Sequence, residues 1–126
     1  PKDAIDVIAK VGGLDIAGMV GCYLGAAICQ MPILIDGFIS AVSAYLACML
    51  NQTAKEYMIP THCSAEPAAK MIMEKLGMEA PLHAGMHLGE GTGAIMGLSL
   101  IDQALNVYYH VATFEGGHVE AYTHQV

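Results

Sequence analysis

Residues 88–94 read Leu-Gly-Glu-Gly-Thr-Gly-Ala, which sets one carboxylate, Glu90, between glycines directly ahead of an apolar helical run. Glycine admits positive φ and lets a ligand come close to the backbone. The free amides of a helix start favour anions, and a carboxylate held beside them can take a proton from a bound substrate. Glu90 is therefore the candidate general base. The competing reading is a helix-start glutamate that complements the macrodipole. Gly89, Gly91 and Ala94 also fit G-x-G-x-x-A, but the dinucleotide fingerprint requires a strand immediately before it. His83–Leu88 does not read as a strand, and the lysine of a P-loop is missing.

Two further positions could contribute. Asp36, with Gly37 after it, follows a short apolar run, and Ser64 lies in Thr61-His62-Cys63-Ser64-Ala65-Glu66-Pro67. Both stand where a predicted strand gives way to a helix, the end at which α/β sheets bind ligands. Asp36 reads equally as an N-cap of the helix after it. Ser64 reads as an N-cap with Pro67 in the first turn, and its hydroxyl and the helix start would also suit an anion. The adjacent His62 and Cys63 suggest a thiol nucleophile, but catalytic pairs meet in space rather than in sequence, which argues against Cys63. His83 and His87, four apart with Glu90 three further on, have a zinc-ligand spacing if helical. Gly85 between them and the missing H-E-x-x-H glutamate argue against it, so no metal is expected.

These residues need elements to position them. A short helix is predicted over 2–10, with Asp3 and Asp6 in its first turn, and Gly12-Gly13 breaks it. A second helix runs from about Leu14 to Cys29; its small residues, among them Gly18, Gly21 and Gly25, predict close packing on both sides. Pro32–Ile35 is a short strand, 38–50 a helix, and Tyr57–Ile59 a second strand closed by Pro60. An amphipathic helix over 65–76 begins near Ser64 and stops at Gly77. Pro81–Gly93 is a long loop, Ala94–Thr113 the final helix, and a polar, loose tail follows Gly116-Gly117. Apolar strands separated by helices predict an α/β fold, a parallel sheet flanked by helices. Two strands are too few for such a sheet, so the missing ones are expected outside this sequence. The opening Pro1 likewise implies an upstream segment.

Composition bounds the function classes. Of the 126 residues 55% are hydrophobic and 13% charged, against a usual charged share of about 25%. Such a chain is either a membrane protein or a piece of a deeply buried core. Twenty uncharged residues separate Asp15 from Asp36, and eighteen separate Asp36 from Lys55. Gln30 and Pro32 interrupt the first run, Ser40, Ser43, Asn51 and Gln52 the second, and neither has a Lys/Arg asymmetry or an aromatic belt. No membrane span and no signal peptide are expected, and the chain reads as cytoplasmic. The net charge of −7 without any arginine excludes a nucleic-acid reader. A phosphate ligand would have to be held by amides and hydroxyls, or by a cation from another segment. Cys22, Cys29, Cys48 and Cys63 form no C-x-x-C pair and read as reduced core thiols.

Asp3-Ala-Ile-Asp6, Val11-Gly-Gly-Leu-Asp15, Ile35-Asp-Gly-Phe38, His62-Cys-Ser-Ala-Glu-Pro67 and Leu88-Gly-Glu-Gly-Thr-Gly-Ala94 together resemble the C-terminal part of the nicotinate-nucleotide–dimethylbenzimidazole phosphoribosyltransferase family. The blocks keep the family's order and spacing over residues 3–115. The resemblance implies the C-terminal part of a larger Rossmann-like domain over 1–115, with a polar tail over 116–126, from a homodimeric enzyme about three times longer. It implies transfer of the phosphoribosyl group of nicotinate mononucleotide to 5,6-dimethylbenzimidazole. The products are nicotinate and α-ribazole 5′-phosphate, the lower ligand of cobalamin, with inversion at the anomeric carbon. It places the catalytic glutamate on Glu90 and substrate contacts on Asp36, Gly37, Ser64, Gly89, Gly91 and Thr92, with no cofactor and no metal. The segment alone is expected to be inactive. A non-catalytic binding or assembly module of the same fold is the alternative.

Overall fold

The structure, a computed structural model, describes residues 3–120. Helix α1 (Ala4–Val11) is capped by Asp3, whose carboxylate accepts from the amides of Ile5 at 2.9 Å and Asp6 at 3.4 Å. Asp3 is thus the cap rather than a first-turn residue, because its own backbone is extended. Lys2, the predicted start, lies outside the described residues. After α2 (Leu14–Ile28) come strand β1 (Ile33–Ile35) and helix α3 (Phe38–Leu50). A 3₁₀ helix (Gln52–Tyr57) then leads into strand β2 (Met58–Pro60). The predicted elements omit this 3₁₀ turn. Asn51 organises it, accepting from the Thr53 amide at 3.1 Å and from the Thr53 hydroxyl. Helices α4 (Ala69–Leu76) and α5 (Thr92–His110) complete the order.

β1 and β2 pair in parallel, with Ile33 opposite Met58, Leu34 opposite Ile59 and Ile35 opposite Pro60. Pro60 continues the second strand rather than closing it. It has no N–H to give, and the ladder passes to the Thr61 amide, which donates to the Ile35 carbonyl at 3.2 Å. Beyond it His62 bridges in parallel to Leu82. Both strands therefore end on the same side, at Asp36 and at Thr61–Ser64.

The core centres on α3, which packs against α1, α2, α4, β1 and the 3₁₀ helix. Its buried Ala41, Ala44 and Ala47 leave room for neighbouring helices to approach. α2 turns one face to this core, through Val20 and Tyr23. The prediction of packing on both sides is not met among the described residues, where nothing beyond the helix's own backbone lies within 4 Å of where a side chain at Gly18, Gly21 or Gly25 would begin. The cysteine prediction fails in part for the same reason. Cys48 is buried and Cys63 half-buried, but Cys22 and Cys29, on α2's outer face and at its end, are exposed. Among the described residues no helix is long and apolar enough to cross a membrane. The predicted tail extends over residues 121–126, which lie outside the described ones.

Candidate active site

The Glu90 loop is a closed turn. The amide of Thr92 donates to the Gly89 carbonyl at 3.2 Å, and the Thr92 hydroxyl donates to the same oxygen at 2.8 Å. Between them Glu90 and Gly91 have φ of 56° and 82°, and Gly89 before them 76°. Two central residues of positive φ make this a type I′ turn. Glycine occupies such positions freely; a glutamate does so at a cost of about 1–3 kcal/mol. Glu90 is exposed, and its carboxylate has no hydrogen-bond partner among the described residues.

Asp36 offsets that strain from across the fold. Its carboxylate accepts from the Gly91 amide at 3.1 Å and the Ala94 amide at 2.9 Å. It therefore caps α5, 55 residues away, and not the helix that follows it, whose N-cap is Gly37. Its own amide donates to Ser40 Oγ at 2.8 Å. A carboxylate at a helix start is favoured by the macrodipole and by the unpaired amides there. This explains why α5 begins at Thr92, two residues ahead of prediction, although no residue beside it caps it. Behind Asp36 lies Tyr23, whose phenol burial pushes up to about 12; a hydrogen bond with Ser40 opposes the rise and the charge of Asp36 adds to it.

The other strand end is tied in as firmly. The Thr61 hydroxyl donates to the Ile35 carbonyl at 2.7 Å. Residues 82–86 run alongside 61–65: the Leu82 amide donates to Thr61 O at 3.2 Å, Cys63 to Leu82 O at 2.9 Å, and Ala65 to Met86 O at 2.9 Å. The first half of the predicted long loop is thereby stitched down, which delivers the Glu90 turn over the strand ends. Ser64 does not cap a helix. Its Oγ accepts from the Glu66 amide at 3.3 Å, a local turn that delays α4 to Ala69.

A cavity of about 520 Å³ opens at this junction, within the usual range for small-molecule sites. Asp36, Gly37, Ser64, Gly89, Glu90 and Gly91 all line it. Thr92 is not among its lining residues, since its hydroxyl is turned back to close the turn. His87 lines this cavity, whereas His83 lines a second one with Cys63 and Lys70. The two histidines of the zinc spacing are thus parted, and no group of three potential ligands that could hold a metal occurs among the described residues.

Among the lining residues, His62 is read from the sequence only as half of a nucleophile pair with Cys63. His62 is 3% exposed and lies between two glycines. A side chain on Gly93 would overlap its ring, and one on Gly37 would start 3.4 Å from its Cε1. Gly97, one turn along α5, leaves the same kind of room for the Thr61 side chain. The spacing Gly93-x-x-x-Gly97 was the available signal, since small residues one turn apart let a helix meet its neighbour closely.

Comparison with known proteins fits this geometry. A family model described as phosphoribosyltransferase matches residues 1–119. The nicotinate-nucleotide–dimethylbenzimidazole phosphoribosyltransferase of Acetivibrio thermocellus is 50% identical over 125 residues, covering 99% of this chain and 36% of that protein. The protein of the same name from Clostridium acetobutylicum is 51% identical over 121 residues, 96% of this chain and 34% of its own length. A crystal structure bearing that name from Thermus thermophilus superposes with a TM-score of 0.86 at 32% identity, over 94% of this chain and 36% of that one. The chain spans about a third of the length of the relatives it matches.

Proposed function

This chain belongs to the nicotinate-nucleotide–dimethylbenzimidazole phosphoribosyltransferase family, and from that premise we propose that its cavity is part of the centre that moves the phosphoribosyl group of nicotinate mononucleotide to 5,6-dimethylbenzimidazole. The observation that carries this reading is Glu90, held on a type I′ turn over the ends of two parallel strands and facing a cavity with its carboxylate uncommitted. One azole nitrogen attacks the anomeric carbon as the bond to the nicotinate nitrogen breaks, and nicotinate leaves with the electron pair. The azole's other nitrogen would become cationic unless its N–H gives up a proton, which Glu90 accepts. Direct displacement inverts the carbon from β to α, so the protein mainly has to hold two substrates in line.

Asp36 acts here by fixing the turn, and its neighbours Gly37 and Ser64 border the nucleotide. Gly89 and Gly91 let substrate approach the backbone, and Thr92 keeps the turn closed. The same reading takes 1–115 as part of the catalytic domain and the working enzyme as a cytoplasmic homodimer. It also takes the 126 residues alone as inactive, since the relatives are about three times longer and no described lysine lines the cavity.

The test is Glu90→Gln in the full-length protein, with transfer to dimethylbenzimidazole followed by product appearance. Loss of a general base predicts a fall in kcat of about 10²–10⁴ with the nucleotide still bound. Turnover equal to wild type would remove Glu90 as the base, and no transfer by the wild-type protein itself would favour the non-catalytic module.

A further inference from the structure

We propose that His62 is a substrate-contacting residue that donates a hydrogen bond from its imidazole to an oxygen of the transferred ribosyl phosphate, an assignment that rests on the phosphoribosyl reading above. Both ring nitrogens are buried, and neither has a hydrogen-bond partner among the described residues. Leaving a buried polar group unpaired costs about 1–3 kcal/mol, so a native site that keeps one has a use for it or a partner still to come. Water does not reach either nitrogen, so bulk solvent does not offset the loss. The partner comes either from the part of the protein outside this chain, which spans about a third of its relatives' length, or with a ligand, and the cavity that His62 lines favours the ligand. His62 forms part of the cavity wall, so a ligand seated there lies against its ring.

The inventory of donors points to the same group. The cavity is lined by Asp36, Glu66 and Glu90, which when ionised only accept hydrogen bonds. The α5 start would ordinarily offer amides to an anion, but those of Gly91 and Ala94 are committed to Asp36. The Ser40 hydroxyl is engaged by the Gly37 carbonyl and by Tyr23, so besides His62 the side-chain donors on the lining are the Ser64 hydroxyl and the exposed His87. No described lysine lines the cavity, and the chain has no arginine. A ribosyl phosphate is rich in acceptors and needs donors, whereas a benzimidazole is a flat apolar ring with a single N–H. His62, at the end of β2 between Gly37 and Gly93, therefore suits the nucleotide.

The experiment compares His62→Phe and His62→Gln with wild type in the full-length protein, measuring KM for each substrate, kcat and the thermal midpoint. Phe fills the ring's volume without a donor; Gln can place an amide N–H near Nε2. For Phe we expect KM for nicotinate mononucleotide to rise about ten- to a hundredfold, the loss of a hydrogen bond to a charged group. KM for the base should not move, and the thermal midpoint should be no lower than wild type. Gln should recover most of the loss. An unchanged nucleotide KM in the Phe variant overturns the proposal. So does a parallel rise of both KM values with a lowered midpoint and no recovery by Gln, which would make His62 a packing wedge only. If wild type shows no transfer at all, the phosphoribosyl reading fails on its own. The His62 imidazole ¹⁵N shift on adding nicotinate mononucleotide then decides: a shift supports the contact, and none overturns it.

Discussion

Helix α3 buries Ala41, Ser43, Ala44, Leu46, Ala47 and Cys48 along 13 residues, whereas α5, at 19 residues, buries only Gly93 and Gly97. Both helices are apolar, yet Ile95, Leu98, Leu105 and Tyr108 of α5 stand exposed. α3 is held by area, and most helical stability in proteins comes from packing of that kind. α5 is held at its first turn and a half, by two glycines against Thr61 and His62 and by the carboxylate of Asp36. The end that is held is the end that carries Glu90. Within this chain, about a third of its relatives' length, placement of the candidate base thus depends on a few point contacts rather than on the bulk of the core, and single atoms there should matter more than they do elsewhere.

The strongest way to break this contrast is to make one substitution in both regions. Gly93→Ala puts a methyl group into the His62 ring. Overpacking of that kind costs about 1–3 kcal/mol, and it lifts α5 where Glu90 enters, so transfer in the full-length protein should fall about a hundredfold by the scale expected for misplaced catalytic groups. Gly21→Ala, on the open face of α2, should leave the 126-residue chain as stable as before or gain up to about 1 kcal/mol from helix propensity. Equal effects of Gly93→Ala and Gly21→Ala on the thermal midpoint of the 126-residue chain would refute the contrast. Adding His62→Ala to Gly93→Ala should recover stability, a coupling that a double-mutant cycle reads directly.

Removing Asp36 tests the second point contact. Asp36→Ala takes the cap from α5, worth about 0.5–2 kcal/mol. Amide hydrogen exchange should quicken in the first turn of α5 and in residues 89–91, and remain slow in α3. Uniform acceleration across both helices would mean that α5 is not separately held.

The same contrast separates what could be read from the sequence from what could not. Regions governed by local rules were legible: β1 falls inside Pro32–Ile35, α3 spans the predicted 38–50, and Gly77 ends α4 with φ of 61°. Of the misplaced element starts, that of α5 is set at a distance and that of α4 by a local turn. α5 starts early because its cap comes from Asp36, and nothing next to Thr92 advertises it. α4 starts late because the Ser64 hydroxyl serves a local turn. Around the cavity, Asp36, Gly37, Ser64, Gly89, Glu90 and Gly91 could be picked out because each marks a strand end or a glycine turn. His62 could not, since beside Cys63 it reads as half of a nucleophile pair, and its place under Gly93 exists only once α5 has docked.

The smallest effect should come from Thr92, where the contrast can be sharpened rather than broken. Its hydroxyl donates to the Gly89 carbonyl at 2.8 Å while its amide donates to the same oxygen. Thr92→Val keeps the β-branched shape and removes one of these two bonds, a net loss of about 0.5–1.5 kcal/mol. Because the amide bond remains, the type I′ turn should persist with Glu90 less tightly fixed. We therefore expect kcat to fall several-fold with both KM values and the thermal midpoint nearly unchanged, and Thr92→Ser to restore it. A thermal midpoint that drops with kcat would show instead that this hydroxyl stabilises α5 as a whole, and that the turn and the helix cannot be treated as separately held parts.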